Sequence, residues 1–175
     1  EFKKLVAIIR LAVPYTGMIL STREAPQLRD AVVALGISQI SAGSRTNPGA
    51  YTEERAHMPE AEQFNVEDTR PQLEIVKGML KNGFFPSFCT ACYRAGRTGK
   101  KFMELAKPGE IKEFCAPNCI LTFKEYVLDY GDAELKGEAA AAIARELAKI
   151  PSPRLRERTA AAIGRIDGGK RDLYF

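Results

Sequence analysis

Thr16-Gly17-Met18-Ile19-Leu20-Ser21-Thr22-Arg23-Glu24 is a short apolar run that breaks abruptly into polar residues. A strand this short and this evenly apolar suits a parallel sheet covered on both faces. A second run, 37–41, ends the same way in Ala42-Gly43-Ser44-Arg45. Between the two, Pro26 opens a helix that runs to residue 35 and stops at Gly36. Upstream, Phe2, Leu5, Val6, Ile8 and Ile9 fall at helical spacings as far as Pro14. Downstream, a polar loop turning at Asn47-Pro48-Gly49 leads to a short strand at 64–66. Thr69 then caps a helix with Pro71 in its first turn, ending at Asn82-Gly83, and 84–88 is a last strand that enters Cys89 directly. Repeated β/α units with polar clusters after the strand ends predict an α/β fold with a parallel sheet, or part of a (β/α)₈ barrel. Three or four strands cannot close a barrel and would leave edges and an inner face exposed. The chain is therefore expected to be a piece of a longer protein or to associate with a second chain. Its start at Glu1-Phe2-Lys3-Lys4, without Met, agrees, a vector scar being the bland alternative.

The pattern changes after Cys89. Segments 99–107, 119–130, 132–149 and 153–165 all predict helix, with Pro151 and Pro153 separating the last two. The expected division is therefore 1–88 and 89–175. The 175 residues are 45% hydrophobic and 27% charged, enough for an ordinary globular core. A net charge of +4, with bases and acids interleaved, argues against a nucleic-acid partner. No apolar run reaches bilayer length, and 5–13 carries Arg10 and no cleavage site, so neither a membrane nor a signal peptide is expected. The expected setting is the cytoplasm, where thiols stay reduced.

Four cysteines in a reducing compartment point to metal binding or core packing before disulfides. Cys89 and Cys92 form a C-x₂-C pair at a predicted strand end, Cys115 follows after twenty-two residues, and Cys119 after three more. A two-residue gap lets both sulfurs face one metal centre, and a helical Cys115–Cys119 pair would lie one turn apart on one face. Soft thiolates select zinc or an iron–sulfur cluster. Four could close a zinc site in a structural or interaction module; three could hold a cubane with one iron open. Arg94, Arg97, Lys100 and Lys101 crowd the pair, either favouring thiolates and an anionic group or forming a solvated basic face. Ser21, Arg23, Ser41, Ser44 and Arg45 follow two strand ends, where parallel α/β folds bind ligands and an Arg can grip a carboxylate. Loop polarity and helix capping are the plainer explanation of the same residues. His57, the single histidine, builds no catalytic triad, and no glycine-rich phosphate loop is present.

Several of these stretches together resemble a known family. Met18-Ile19-Leu20-Ser21-Thr22-Arg23-Glu24, Ser41-Ala42-Gly43-Ser44-Arg45, Phe88-Cys89-Thr90-Ala91-Cys92-Tyr93-Arg94, Gly96-Arg97-Thr98-Gly99 and Cys115-Ala116-Pro117-Asn118 look like the C-terminal part of HydG-type [FeFe]-hydrogenase maturases, which are radical S-adenosylmethionine tyrosine lyases. The likeness runs from Phe2 to about Tyr130. The first two motifs also resemble the thiamine-pathway tyrosine lyase, and the C-x₂-C-x₂₂-C spacing separates the two. The resemblance implies the C-terminal part of a TIM-type radical barrel over 1–88 and a mostly helical domain over 89–175. It implies that Cys89, Cys92 and Cys115 ligate an auxiliary iron–sulfur cluster, [4Fe-4S] or [5Fe-4S], and that Arg23 holds the tyrosine carboxylate beside Ser21, Ser41 or Ser44. The reaction implied for the intact protein splits L-tyrosine into p-cresol and dehydroglycine, using S-adenosylmethionine and a second [4Fe-4S] cluster. Carbon monoxide and cyanide on iron are then made for other hydrogenase maturation proteins. The C-x₃-C-x₂-C motif of the radical cluster is absent from these residues, so the chain alone is expected to be inactive without the N-terminal half of the barrel.

Overall fold

Helix outweighs strand in this chain. The computed structural model describes residues 1–46 and 63–175. The predicted turn at Asn47-Pro48-Gly49 and His57 lie outside the described residues. The described elements are α1 (Phe2–Ala12), β1 (Ile19–Leu20), α2 (Pro26–Val33), β2 (Gln39–Ile40), α3 (Gln72–Lys81), α4 (Ala91–Arg94), α5 (Gly99–Ala106), α6 (Lys112–Tyr130), α7 (Ala133–Ala148) and α8 (Pro153–Asp167). They belong to two compact units, Glu1–Ile75 and Val76–Phe175.

In the first unit, β1 and β2 pair in parallel, with Ile19 opposite Gln39 and Leu20 opposite Ile40. Val6 of α1, Leu20 of β1 and Val32 of α2 make the buried core, and Leu28, Leu35 and Ile40 pack against it. Only one face of α1 is used: Val6 is buried while Leu11 is 83% exposed. Arg10 ties α1 to the end of α2 by donating through Nη2 to the Gly36 carbonyl at 2.6 Å. Gly36 has φ +111°, and a Cβ there would lie 2.7 Å from the Arg10 side chain, so both backbone and space demand glycine.

Two of the four expected strands are absent among the described residues. Residues 84–88 are apolar because they lie on α6, not because they belong to a sheet. Phe85 meets Phe123 edge-on at 4.5 Å, Phe88 stacks on Tyr126 at 4.4 Å, and the Phe88 N–H donates to Thr122 Oγ1 at 3.3 Å. Residues 64–66 pair with no strand either; the Phe64 carbonyl accepts from Thr46 Oγ1 at 3.0 Å. The strands that do form are two residues long, and among the described residues each has the other as its one hydrogen-bonded neighbour.

The second unit is built on α6, α7 and α8. Ile120, Leu121, Phe123 and Val127 of α6 are buried with Leu135 and Ile143 of α7 and Ala162 and Ile166 of α8. Asp132 caps α7 by accepting from the Leu135 N–H at 3.0 Å. Ser152 caps α8 through Leu155 at 3.3 Å, with Pro153 at the first helical position. α6 starts at Lys112 rather than near 119, because it continues through Pro117. The proline forgoes one backbone bond, and its burial among core residues offsets the loss. No helix among the described residues is long and apolar enough to cross a membrane.

Candidate functional site

The thiols come from three local structures of the second unit. Cys89 precedes α4; its Sγ accepts the Ala91 N–H at 3.4 Å while its own N–H donates to Ser87 Oγ at 3.3 Å. Cys92 lies within α4, and its carbonyl accepts the Arg97 N–H at 2.7 Å. Cys115 stands in the first turn of α6 and is exposed. All four cysteines are unpaired thiols. The Cys115 thiol is raised above its ordinary value, first by packing around the sulfur and then by the charges of Cys92 and Cys89, with Arg97 opposing. The Cys115 sulfur therefore lies within electrostatic reach of Cys92 and Cys89, as the Cys119 sulfur does of Cys89 and Cys115.

Cys119 differs. It is half-buried one turn further along α6, donates weakly to the Pro86 carbonyl at 3.7 Å, and is pushed up to about 11, chiefly by burial. It is a packed, neutral thiol. Of the four basic residues near the pair, Arg94 and Arg97 are held by groups distant in sequence, while Lys100 pairs along its own helix with Glu104. Arg94 makes a two-pronged ion pair with Asp172, one arm at 2.7 Å. Arg97 donates to the Phe175 carbonyl at 2.8 Å and lies over the Phe114 ring at 4.4 Å. Its Nε–H is buried without an acceptor, which costs about 1–3 kcal/mol unless a bound group supplies one. Lys100 is 92% exposed, with Glu104 3.9 Å away.

Among the described residues, no three His, Cys, Asp or Glu side chains are gathered to hold a single metal ion. One zinc ion would draw its sulfurs to about 2.3 Å from one point. A cubane asks for a wider setting, because each thiolate binds a different iron. Three soft thiols, an amide directed at one sulfur and an unsatisfied guanidinium N–H suit that anionic group.

The second candidate lies at the strand ends of the first unit. The register that opposes Leu20 to Ile40 brings Ser21 and Ser41 to the same end of the parallel pair, and the Ser41 N–H donates to the Leu20 carbonyl at 3.0 Å. Arg23 is exposed, with its guanidinium 4.4 Å over the Phe64 ring, and its N–H donates to Ser21 Oγ at 3.4 Å. Ser44 is half-buried in the loop beyond β2. Sequence reasoning missed what holds these loops. Arg29 of α2, 2% exposed, pairs with the fully buried Asp68 and donates to the Ser41 carbonyl. The Thr22 carbonyl accepts the N–H groups of Glu67 and Asp68 at 3.1 and 3.0 Å. Arg70 completes the chain, bonding Asp68 at 2.7 Å and Asp30 at 3.0 Å. The available signal was the three-residue step from Arg29 to Val32, which puts the arginine on the buried face of α2.

Comparison with known proteins divides the chain in a similar way. Residues 1–85 match the Biotin and Thiamin Synthesis associated domain family, which stops short of Cys89. The 2-iminoacetate synthases of Salmonella typhimurium and Escherichia coli K12 are 39% and 37% identical over 81 residues, covering 46% of this chain and 21% of theirs. The crystal structure of HydG, a maturase of the [FeFe]-hydrogenase, is 56% identical and superposes with a TM-score of 0.91 over 99% of this chain. The chain is HydG-like. It spans 37% of that HydG chain and about a fifth of the curated relatives. The maturase HydG from Carboxydothermus hydrogenoformans is 36% identical over 93% of the chain, with a TM-score of 0.64 and 33% of its own length covered. The HydG likeness extends through the cysteine-bearing half.

Proposed function

We propose that this HydG-like chain is the part of a radical S-adenosylmethionine tyrosine lyase that carries its auxiliary iron–sulfur cluster. In this reading residues 1–88 complete the C-terminal side of the radical barrel and 89–175 form the cluster domain. Cys89, Cys92 and Cys115 would hold the cluster. When bound, it supplies the iron on which dehydroglycine yields carbon monoxide and cyanide for [FeFe]-hydrogenase assembly. In this chain, Arg23 grips the tyrosine carboxylate, Ser21 and Ser41 orient it from adjacent strand ends, and Ser44 borders it. The Arg97 Nε–H offers a hydrogen bond to the anionic group at the thiols. Cys119 stays a packing thiol. What supports the reading is the C-x₂-C-x₂₂-C spacing, with Cys115 in electrostatic reach of Cys89 and Cys92, in a chain that follows HydG over 99% of its length.

The test is Cys115→Ala in the intact protein. The iron content and absorbance of the second cluster are expected to vanish while p-cresol formation persists. Equal loss of p-cresol and carbon monoxide would contradict the division of labour. A colourless reconstituted protein holding one zinc, with all four cysteines shielded from alkylation, would favour the structural zinc module instead.

A further inference from the structure

The segment 170–175 has no part in the reading above, yet it is tied to the second unit at several points. Arg171 grips Asp129 of α6, with Nη2 to Oδ1 at 2.7 Å, and the Leu173 N–H donates to Glu125 at 3.3 Å. The chain then crosses to the cysteines. Arg94, two residues after Cys92, pairs with Asp172 and lies 4.5 Å over the Tyr174 ring. Asp172 has φ +64°, the one non-glycine among the described residues in the left-handed region. Aspartate tolerates that region better than most residues, and here the conformation turns the segment toward Arg94.

The last contacts bracket Phe175 from both cysteine arms. Asn118, 1% exposed and one turn beyond Cys115, accepts the Phe175 N–H at 2.7 Å and returns its own amide to the Phe175 carbonyl at 3.3 Å. Arg97 donates to the same carbonyl from the Cys92 side, while its backbone is bonded to Cys92 and its guanidinium covers Phe114, the neighbour of Cys115. One carbonyl thus receives donors from both arms.

We propose that residues 171–175 are a clamp that sets the spacing between the Cys92 arm and the Cys115 arm, with Arg97 and Asn118 as the positioning residues on which it closes. The inference rests on the reading of these cysteines as cluster ligands. The asymmetry of the site explains why a clamp is needed. The Cys89 side is fastened to α6 directly, through Phe88 to Thr122 and Cys119 to Pro86. The Cys92 side lies on α4, four residues long with Ala91 as its one buried residue, and a single turn does not hold its own shape unaided. Arg97 on Phe114 and the clamp are what join it to α6. A three-thiolate cluster requires fixed sulfur spacing, so slack on one arm shortens its lifetime.

The experiment uses the intact protein with Arg97→Ala, Arg97→Lys and Asp172→Asn. In metal-free protein, iodoacetamide labelling of Cys92 is followed by peptide mapping, with the packed Cys119 as internal reference. In reconstituted protein, iron release from the auxiliary cluster to a chelator is timed. Arg97→Ala is expected to raise both rates about tenfold, the low end for groups that orient metal ligands. Arg97→Lys keeps the charge but not the fork or the stacking, and is expected not to rescue. Asp172→Asn, on the exposed rim, should fold normally and shift both rates the same way by less. Unchanged labelling and unchanged iron release in Arg97→Ala, with hydrogen exchange showing 171–175 set free, would overturn the clamp. If the unaltered protein takes up no cluster at these cysteines, the functional reading falls. The labelling of Cys92 still decides whether the clamp spaces the arms.

Discussion

The two units hold their chemistry-bearing loops by opposite means. In the first, the apolar core of the described residues is thin, Val6, Leu20 and Val32 with partly buried neighbours and Ile75 besides, and neither α1 nor α2 has a side-chain cap. Its strand-end loops hang on a charge chain that is buried at Arg29 and Asp68 and reaches the surface through Arg70 and Asp30. In the second, three helices share a fuller core, α7 and α8 carry their own caps, and ion pairs stay at the rim. Lys77, for example, bridges Asp132 and Glu134 at 2.5 and 2.6 Å at the start of α7. Buried charge fixes geometry where little hydrophobic area is available, but it makes the loops depend on single side chains. A capped helical core spreads the same task over many weak contacts.

The largest test of this contrast is Asp68→Ala. It strands the Arg29 guanidinium, 2% exposed, and is expected to destabilise the first unit by about 3–5 kcal/mol. Segment-resolved hydrogen exchange in urea would show the loss over 1–46. The double change Arg29→Met with Asp68→Leu should recover much of it, because two apolar groups leave no charge behind; no recovery would mean that the Ser41 carbonyl, not the ion pair, is what matters. Acid gives the next effect. Burial pushes the Asp68 carboxyl up, but bonds from Arg70 and Arg29 outweigh it and hold it below the ordinary carboxylate range. A depressed native value means stability that is present above the unfolded value and lost as pH falls through the native one. The first unit should therefore loosen below about pH 4, ahead of the second, whose lowered carboxylates such as Asp129 sit at the surface. Simultaneous loss of both units, followed by circular dichroism and exchange, would erase the contrast. The smallest effect is Ser152→Ala, which removes one of the two side-chain caps of the second unit and should cost about 1 kcal/mol, seen as a modest drop in the urea midpoint of α8.

Legibility followed the same line. α7 and α8 were predicted within about two residues, with Pro151 and Pro153 separating them; their caps, Asp132 and Ser152, emerged from the structure. α2 was equally plain from Pro26 and Gly36. The strands at 64–66 and 84–88 were misread because an apolar run does not say what it packs on: Phe85 and Phe88 pack against Phe123 and Tyr126 of α6, forty residues on. α6 was begun too late, at 119 rather than Lys112, since the helix carries Pro117 inside it. At the site, spacing pointed to Cys89, Cys92 and Cys115 without separating zinc from a cluster, and left Cys119 open until its burial was seen. The charge chain through Asp68 and the contacts around Phe175 were illegible, since both join residues distant in sequence and use types usually found in water.

α6 has a consequence for when the site is made. The helix that presents Cys115 in its first turn is anchored further along by Leu121 and Phe123, both fully buried. Hydrophobic packing gives that helix its place without a metal ligand bond, unlike small zinc domains that fold only on their ion. On the proposed cluster reading, loading iron and sulfide would be chemistry on a folded helix, timed by the supply of those atoms.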